Sequence, residues 1–146
     1  MSLDPLTPGD VVRELYSALT AGDVPRLLER LHPDLVVDEP SALPYGGIHH
    51  GRDVFMEKVF GAMVAHAEIQ VDKTEVFESG EGVVGIITGT FVARTTGERL
   101  AMTVIERHQV EGNTVRRLDI FMKNPEALAE FYERVGVSSL PLGQDE

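Results

Sequence analysis

Glu39 and Glu106 are the residues with which this chain could do acid–base chemistry, because each carboxylate stands among apolar residues at strand spacing; Asp119, between Arg117 and Phe121 at that spacing, is a third acid. Leu35, Val37 and Glu39 alternate along one face that is apolar up to its last member. A carboxyl on such a face loses hydration, which disfavours its charged form and lifts its pKa toward working pH, as a general base requires. In the other reading the apolar face ends at Val37 and Glu39 stays hydrated at the strand mouth. Glu106 belongs to the alternation Met102, Val104, Glu106, His108. A glutamate in the middle of an apolar face must be protonated or paired, unless that face points outward and Arg107 supplies a salt bridge. His108 reads equally as a proton carrier or as a half-buried edge residue. Leu118, Ile120 and Met122 alternate with Arg117, Asp119 and Phe121. Simple alternation turns the first set to the core and leaves Arg117 and Asp119 as an ion pair on the outside.

Other chemistries find less support. The chain has no cysteine, which removes disulfides, thiol nucleophiles and thiolate-held zinc together. Tyr45, His49 and His50 stand on a loop that could close over a pocket mouth and hydrogen-bond a ligand; loop histidines are otherwise merely solvated. Neighbouring histidines diverge and no His-Glu-x-x-His spacing occurs, so neither a metal nor another cofactor is expected. Gly80-Glu81-Gly82-Val83-Val84-Gly85 fits G-x-G-x-x-G, yet it joins two predicted strands and opens no helix whose amides could meet a pyrophosphate. It reads as a chance match in a hairpin. Thirteen basic against twenty-four acidic residues give a formal charge of −11, which repels phosphate backbones and anionic lipid, so nucleic acid and membranes are not expected partners. No apolar run approaches a membrane span, and Met1-Ser2-Leu3-Asp4-Pro5 lacks the basic and apolar regions of a signal peptide; the expected location is cytoplasmic.

The elements that must position these residues follow from period and punctuation. Thr7-Pro8-Gly9-Asp10 starts a helix with Val12, Leu15, Ala18 and Leu19 on one side, stopped by Gly22. Asp23 caps a second helix with Leu27, Leu28 and Leu31, ended by His32-Pro33. A short strand from Leu35 to Glu39 stops at Pro40, and Ser41 to His50 is a turn-rich loop. A third helix near Arg52 to His66 carries Phe55, Val59 and Met63. Strands near 67–77, 82–93, 98–110 and 114–122, joined by short polar turns, form an antiparallel meander. Asn124-Pro125 starts a last helix with Leu128, Phe131, Tyr132 and Val135, closed by Gly136. One domain spans 1–146, with flexible tails at 1–6 and 137–146. Its class is α+β: a cone-shaped curved antiparallel sheet, a cystatin-like barrel, packed against N-terminal helices and enclosing a blind pocket for a small apolar molecule.

The run Val11-Val12-Arg13-Glu14-Leu15-Tyr16-Ser17-Ala18-Leu19-Thr20-Ala21-Gly22-Asp23, followed by Val37-Asp38-Glu39-Pro40, resembles the opening of ketosteroid isomerases and SnoaL-like polyketide cyclases, within the nuclear-transport-factor-2-like superfamily. Gly51-Arg52-Asp53, Val104-Ile105-Glu106 and Val115-Arg116-Arg117-Leu118-Asp119-Ile120-Phe121 fall where that family has its third helix and last two strands. The resemblance implies that the carboxylate before the first strand's proline, Glu39, moves a substrate proton. It further implies that Glu106, a protonated acid, helps a tyrosine stabilise an enolate. At the tyrosine position this chain has Leu15; Tyr16 lies about a quarter turn further round the helix and is not given that role. Leu15, Tyr16, Phe55, Val59, Met102 and Val104, with Tyr45, His49 and His108, are expected to line the pocket. The resemblance also turns Arg117, Asp119 and Phe121 inward, where the charged pair would orient a ligand or an attacking water. Both sets on the last strand are then buried if the convex face of the sheet is a homodimer interface. The implied activity is isomerisation or cyclisation of a hydrophobic ketone or polyketide-like substrate. Epoxide opening and a non-catalytic binding or dimerisation module are the alternatives, since this fold hosts many functions.

Overall fold

The computed structural model describes residues 6–80 and 82–139. Most of the two expected tails, residues 1–5 and 140–146, lies outside them. Helix α1 (Pro8–Ala21) begins where Thr7 Oγ1 accepts the Asp10 N–H at 3.0 Å, and it ends at Gly22, whose φ of 68° lets its N–H return to the Ala18 and Leu19 carbonyls. Helix α2 (Val24–Glu29) is capped by Asp23, whose carboxylate accepts the Arg26 N–H at 3.2 Å. The chain turns to strand sooner than expected: β1 (Leu31–Glu39) includes His32-Pro33, and Leu31 is buried at its start rather than on the helix.

The predicted loop contains a short edge strand, β2 (Gly47–His50), paired antiparallel to the end of β1 with Glu39 opposite Gly47. Residues 52–66 are helical throughout and form α3, but its middle, Phe55–Phe60, is wound in wide π turns between Arg52–Val54 and Gly61–His66. Then come β3 (Ala67–Ser79), β4 (Gly82–Ala93), β5 (Arg99–Glu111), β6 (Thr114–Met122) and a last helix, α4 (Pro125–Ser139). Gly136 does not end that helix; it stays helical and the helix continues to Ser139.

The six strands lie in the order β2-β1-β6-β5-β4-β3. β3 to β6 make the expected antiparallel meander, while β1 joins β6 in parallel. The β1–β6 ladder shifts register between Leu31 and Val36, around Pro33, which has no N–H to give. The sheet is curved but does not close, and the helices pack on its concave side, so the class is α+β. Val11, Val12, Leu15 and Ala18 of α1 belong to the same buried core as Leu35 and Val37 of β1, Val115 of β6, and Leu128 and Phe131 of α4. Among the described residues no helix is long and apolar enough to cross a membrane.

Candidate active site

Alternation on three strands decides what faces the interior. On β1, Leu35, Val37 and Glu39 are buried; on β5, Met102, Val104 and Glu106 point inward; on β6, Leu118, Ile120 and Met122 do so. Helices α1, α2 and α3 cover this side, and between them lies an apolar cavity of about 110 Å³. Leu15, Tyr16, Tyr45, Phe55, Met102 and Val104 line it, together with Glu39 and Glu106.

Glu39 is 3% exposed. Burial pushes its pKa up to about 8, and the negative charges of Glu106 and Asp38 push in the same direction. Glu106, on β5, is held from the helical side: the Tyr16 hydroxyl donates to its Oε1 at 2.8 Å. Burial, Glu106's charge and that hydrogen bond together drive the Tyr16 hydroxyl far above its ordinary pKa, so it remains a donor. Space for the hydroxyl comes from Gly85 on β4, directly opposite Glu106: a Cβ there would stand 2.0 Å from Tyr16 Oη. Tyr45 packs edge-on against Tyr132 with ring centroids 5.6 Å apart, and the Tyr132 hydroxyl donates to the Met63 carbonyl at 2.7 Å, which fixes that wall.

Six expected pocket residues do not reach the cavity. Arg117, Asp119 and Phe121 occupy the outer face of β6, because Leu118, Ile120 and Met122 take the inner one; alternation is right here and the inward placement of Asp119 is corrected. The Asp119 carboxylate accepts from Arg107 at 3.1 Å and from Arg117 at 3.0 Å. Burial raises its pKa, but the hydrogen bonds and charges of the two arginines outweigh that and leave it below the ordinary value. Leu118, Ile120 and Met122 therefore line the cavity and do not face outward. His49 turns its Nε2–H to the Tyr45 carbonyl at 2.9 Å, and Val59 is buried behind the cavity wall. His108 also lies behind the wall, beneath Glu106. His50 is exposed.

One contact escaped sequence reasoning. Tyr16, set aside because of its angle on the helix, meets Glu106; the signal was Gly85, a glycine inside the apolar strand run Val83-Val84-Gly85-Ile86-Ile87. That glycine had been read only as part of a chance motif. Gly82 opens strand β4, where the motif would need a helix N-terminus.

A sequence-family model described as "SnoaL-like domain" matches residues 12–118. Among solved structures, a nuclear-transport-factor-2-like protein of unknown function from Burkholderia pseudomallei is 24% identical, with 89% of this chain and 98% of that one covered and a TM-score of 0.73. TerC, co-crystallised with polyporic acid, is 18% identical, with 87% and 99% covered and a TM-score of 0.74. A candidate polyketide cyclase from Pseudomonas putida is 16% identical, with 86% and 97% covered and a TM-score of 0.69. At these identities the likeness is one of fold. No curated protein matches the sequence.

Proposed function

The chain belongs to the SnoaL-like domain family, and from that premise we propose that it is an isomerase or cyclase moving a proton on a hydrophobic ketone or polyketide-like substrate without a cofactor. The observation that carries this reading is Glu39: a carboxyl almost wholly removed from water, bordering a cavity, with a pKa of about 8. A general base works best when its pKa lies near the operating pH. Glu39 takes the proton next to the substrate carbonyl and returns it at another carbon. Charge then builds on the carbonyl oxygen, and Tyr16 meets it: the hydroxyl, held at the cavity wall by its bond to Glu106 until then, turns its one hydrogen toward that oxygen. The charge of Glu106 opposes ionisation of Glu39.

The wall also limits the substrate. Among the described residues it carries no lysine, arginine or histidine, so it offers no partner to an anionic group, and the part of the substrate that enters is largely apolar. Glu39→Gln keeps volume and removes the base. With a cyclic β,γ-unsaturated ketone as probe, kcat should fall by about 10²–10⁴-fold while Kd changes little. Turnover that survives this substitution ends the proposal. The epoxide-opening alternative loses its water-orienting pair, since Arg117 and Asp119 lie on the other face. A binding module remains the second reading, favoured by the cavity's apolar wall; a pH–rate profile carrying Glu39's ionisation would remove it.

The assembly proposed is a homodimer through the convex face of the sheet. Ile86, Ile105 and Phe121 form one row there and Phe77 and Val84 start the next, with Ile105 43% and Phe121 53% exposed. An apolar patch of this kind on an otherwise acidic surface is what self-association would cover.

A further inference from the structure

We propose that a proton lies between His108 Nε2 and Glu106 Oε1, and that His108 is thereby a positioning residue that offsets the charge of Glu106 and lets Glu39 ionise beside it. The inference rests on the catalytic reading of the cavity for its purpose, but not for its geometry.

His108 is completely enclosed, on β5 between Val83 of β4 and Leu118 of β6. Its Nδ1 faces the Val83 carbonyl at 3.2 Å. A carbonyl only accepts, so Nδ1 carries a hydrogen. Nε2 is a buried nitrogen with no hydrogen-bond partner, and the polar atom it faces is Glu106 Oε1 at 3.5 Å. That oxygen already accepts from the Tyr16 hydroxyl. A bare Nε2 would set its lone pair against one on Oε1 in an enclosed interior, leaving the nitrogen short of a donor and the two lone pairs in repulsion. A proton on the line between them removes the conflict. Tyr16's hydrogen bond favours the arrangement with a carboxylate at Oε1 and the hydrogen on Nε2.

This arrangement does something for the reaction that Tyr16 and Glu106 alone do not. Once the hydroxyl turns its hydrogen toward a substrate oxygen, Oε1 loses its donor and would face the new oxyanion as a second bare charge. The Nε2–H keeps that oxygen bonded and the pair neutral. The same positive charge offsets the repulsion between Glu106 and Glu39. The groups around His108 are Glu106 on its own strand, the Tyr16 ring on α1 at 5.8 Å, the Val83 carbonyl on β4 and the apolar Leu118 on β6. Around Glu39 they are Glu106, Asp38, Tyr45 and Tyr132.

Nitrogen NMR of the full chain with labelled histidine tests this without any substrate, the His108 signals being assigned through His108→Asn. The expected result is hydrogen on both ring nitrogens of His108 in the folded protein at pH 7. Loss of one of them is expected in Glu106→Gln, which keeps volume and removes the charge. A bare Nε2 in the wild type overturns the proposal, and so does a ring unchanged by Glu106→Gln. Carbon NMR of the Glu39 carboxyl supplies a readout that mere packing would not move: His108→Asn should shift its midpoint upward by about one pH unit, a tenfold change. An unmoved midpoint in a folded variant rejects the charge-offsetting role. Should His108→Asn fail to fold, the His108 signals are identified by elimination through replacement of His32, His49, His50 and His66, and the Glu106→Gln comparison decides. A doubly protonated ring in a protein that turns nothing over would sink the catalytic reading alone; a bare Nε2 with turnover intact would sink only this one.

Discussion

Glu39 keeps its proton far above the ordinary carboxylate range, and this makes the fold sensitive to pH in a predictable direction. Below pH 4.5 both folded and unfolded chains hold the proton and Glu39 contributes nothing. Between 4.5 and about 8 the unfolded chain releases it while the folded chain does not, so stability falls as pH rises. At about 1.4 kcal/mol per pH unit the loss reaches on the order of 5 kcal/mol at the upper end and is constant above it. Urea unfolding across pH 5–8 should show this slope in the wild type and lack it in Glu39→Gln; equal slopes would mean that the carboxyl is hydrated. Gly85 supplies a second residue-scale prediction. Gly85→Ala drives a methyl into Tyr16, separates it from Glu106 and should cost about 1–3 kcal/mol. In a Tyr16→Phe background the same substitution should cost less, because the hydroxyl that stood nearest is gone. Glu39's inward direction was legible from parity with Leu35 and Val37. Tyr16's was not, because an angle on a helix says nothing of the space across the interface, and here a missing side chain on another strand creates that space.

Elements place charge by face, and β6 is the clearest case. Its sequence alone assigns Leu118, Ile120 and Met122 to the interior; the family resemblance pointed the other way, and the pleat follows the apolar set. Asp119→Asn should therefore leave ligand affinity within about twofold while costing about 1 kcal/mol, a modest loss because Arg107 is well exposed to water. Calorimetric binding beside thermal unfolding separates these; a large loss of affinity would return Asp119 to the site. The helices and the meander were readable from caps, turns and period. β2 was not: four residues, two of them histidine, are too few to show alternation, and only pairing with β1 makes them a strand. The π turns of α3 were equally hidden, since the apolar spacing of Phe55, Val59 and Met63 suits an ordinary helix. They set Phe55 and Phe60 against the cavity, a position where such wide turns often serve a site.

At the scale of the molecule, a formal charge of −11 opposes self-association while the outer sheet face invites it. Arg107 and Arg117 stand beside the apolar rows on that face and temper the repulsion locally. Sedimentation at micromolar concentration should give the dimer mass for the wild type and the monomer mass for Phe121→Glu, with added salt strengthening the wild-type association. A wild-type monomer would end the assembly proposal. The outline of the whole was legible in the sequence; the parallel seam was not, because nothing in Leu31–Glu39 or Thr114–Met122 alone says that the two strands lie side by side. That seam has a temporal consequence. Because β6 separates β1 from β5, the sheet cannot bring Glu39 and Glu106 into a common interior until Thr114–Met122 has left the ribosome. Until then both acids are free to stay hydrated. Their dehydration is deferred to the closing step, when the last strand slides between its two older neighbours.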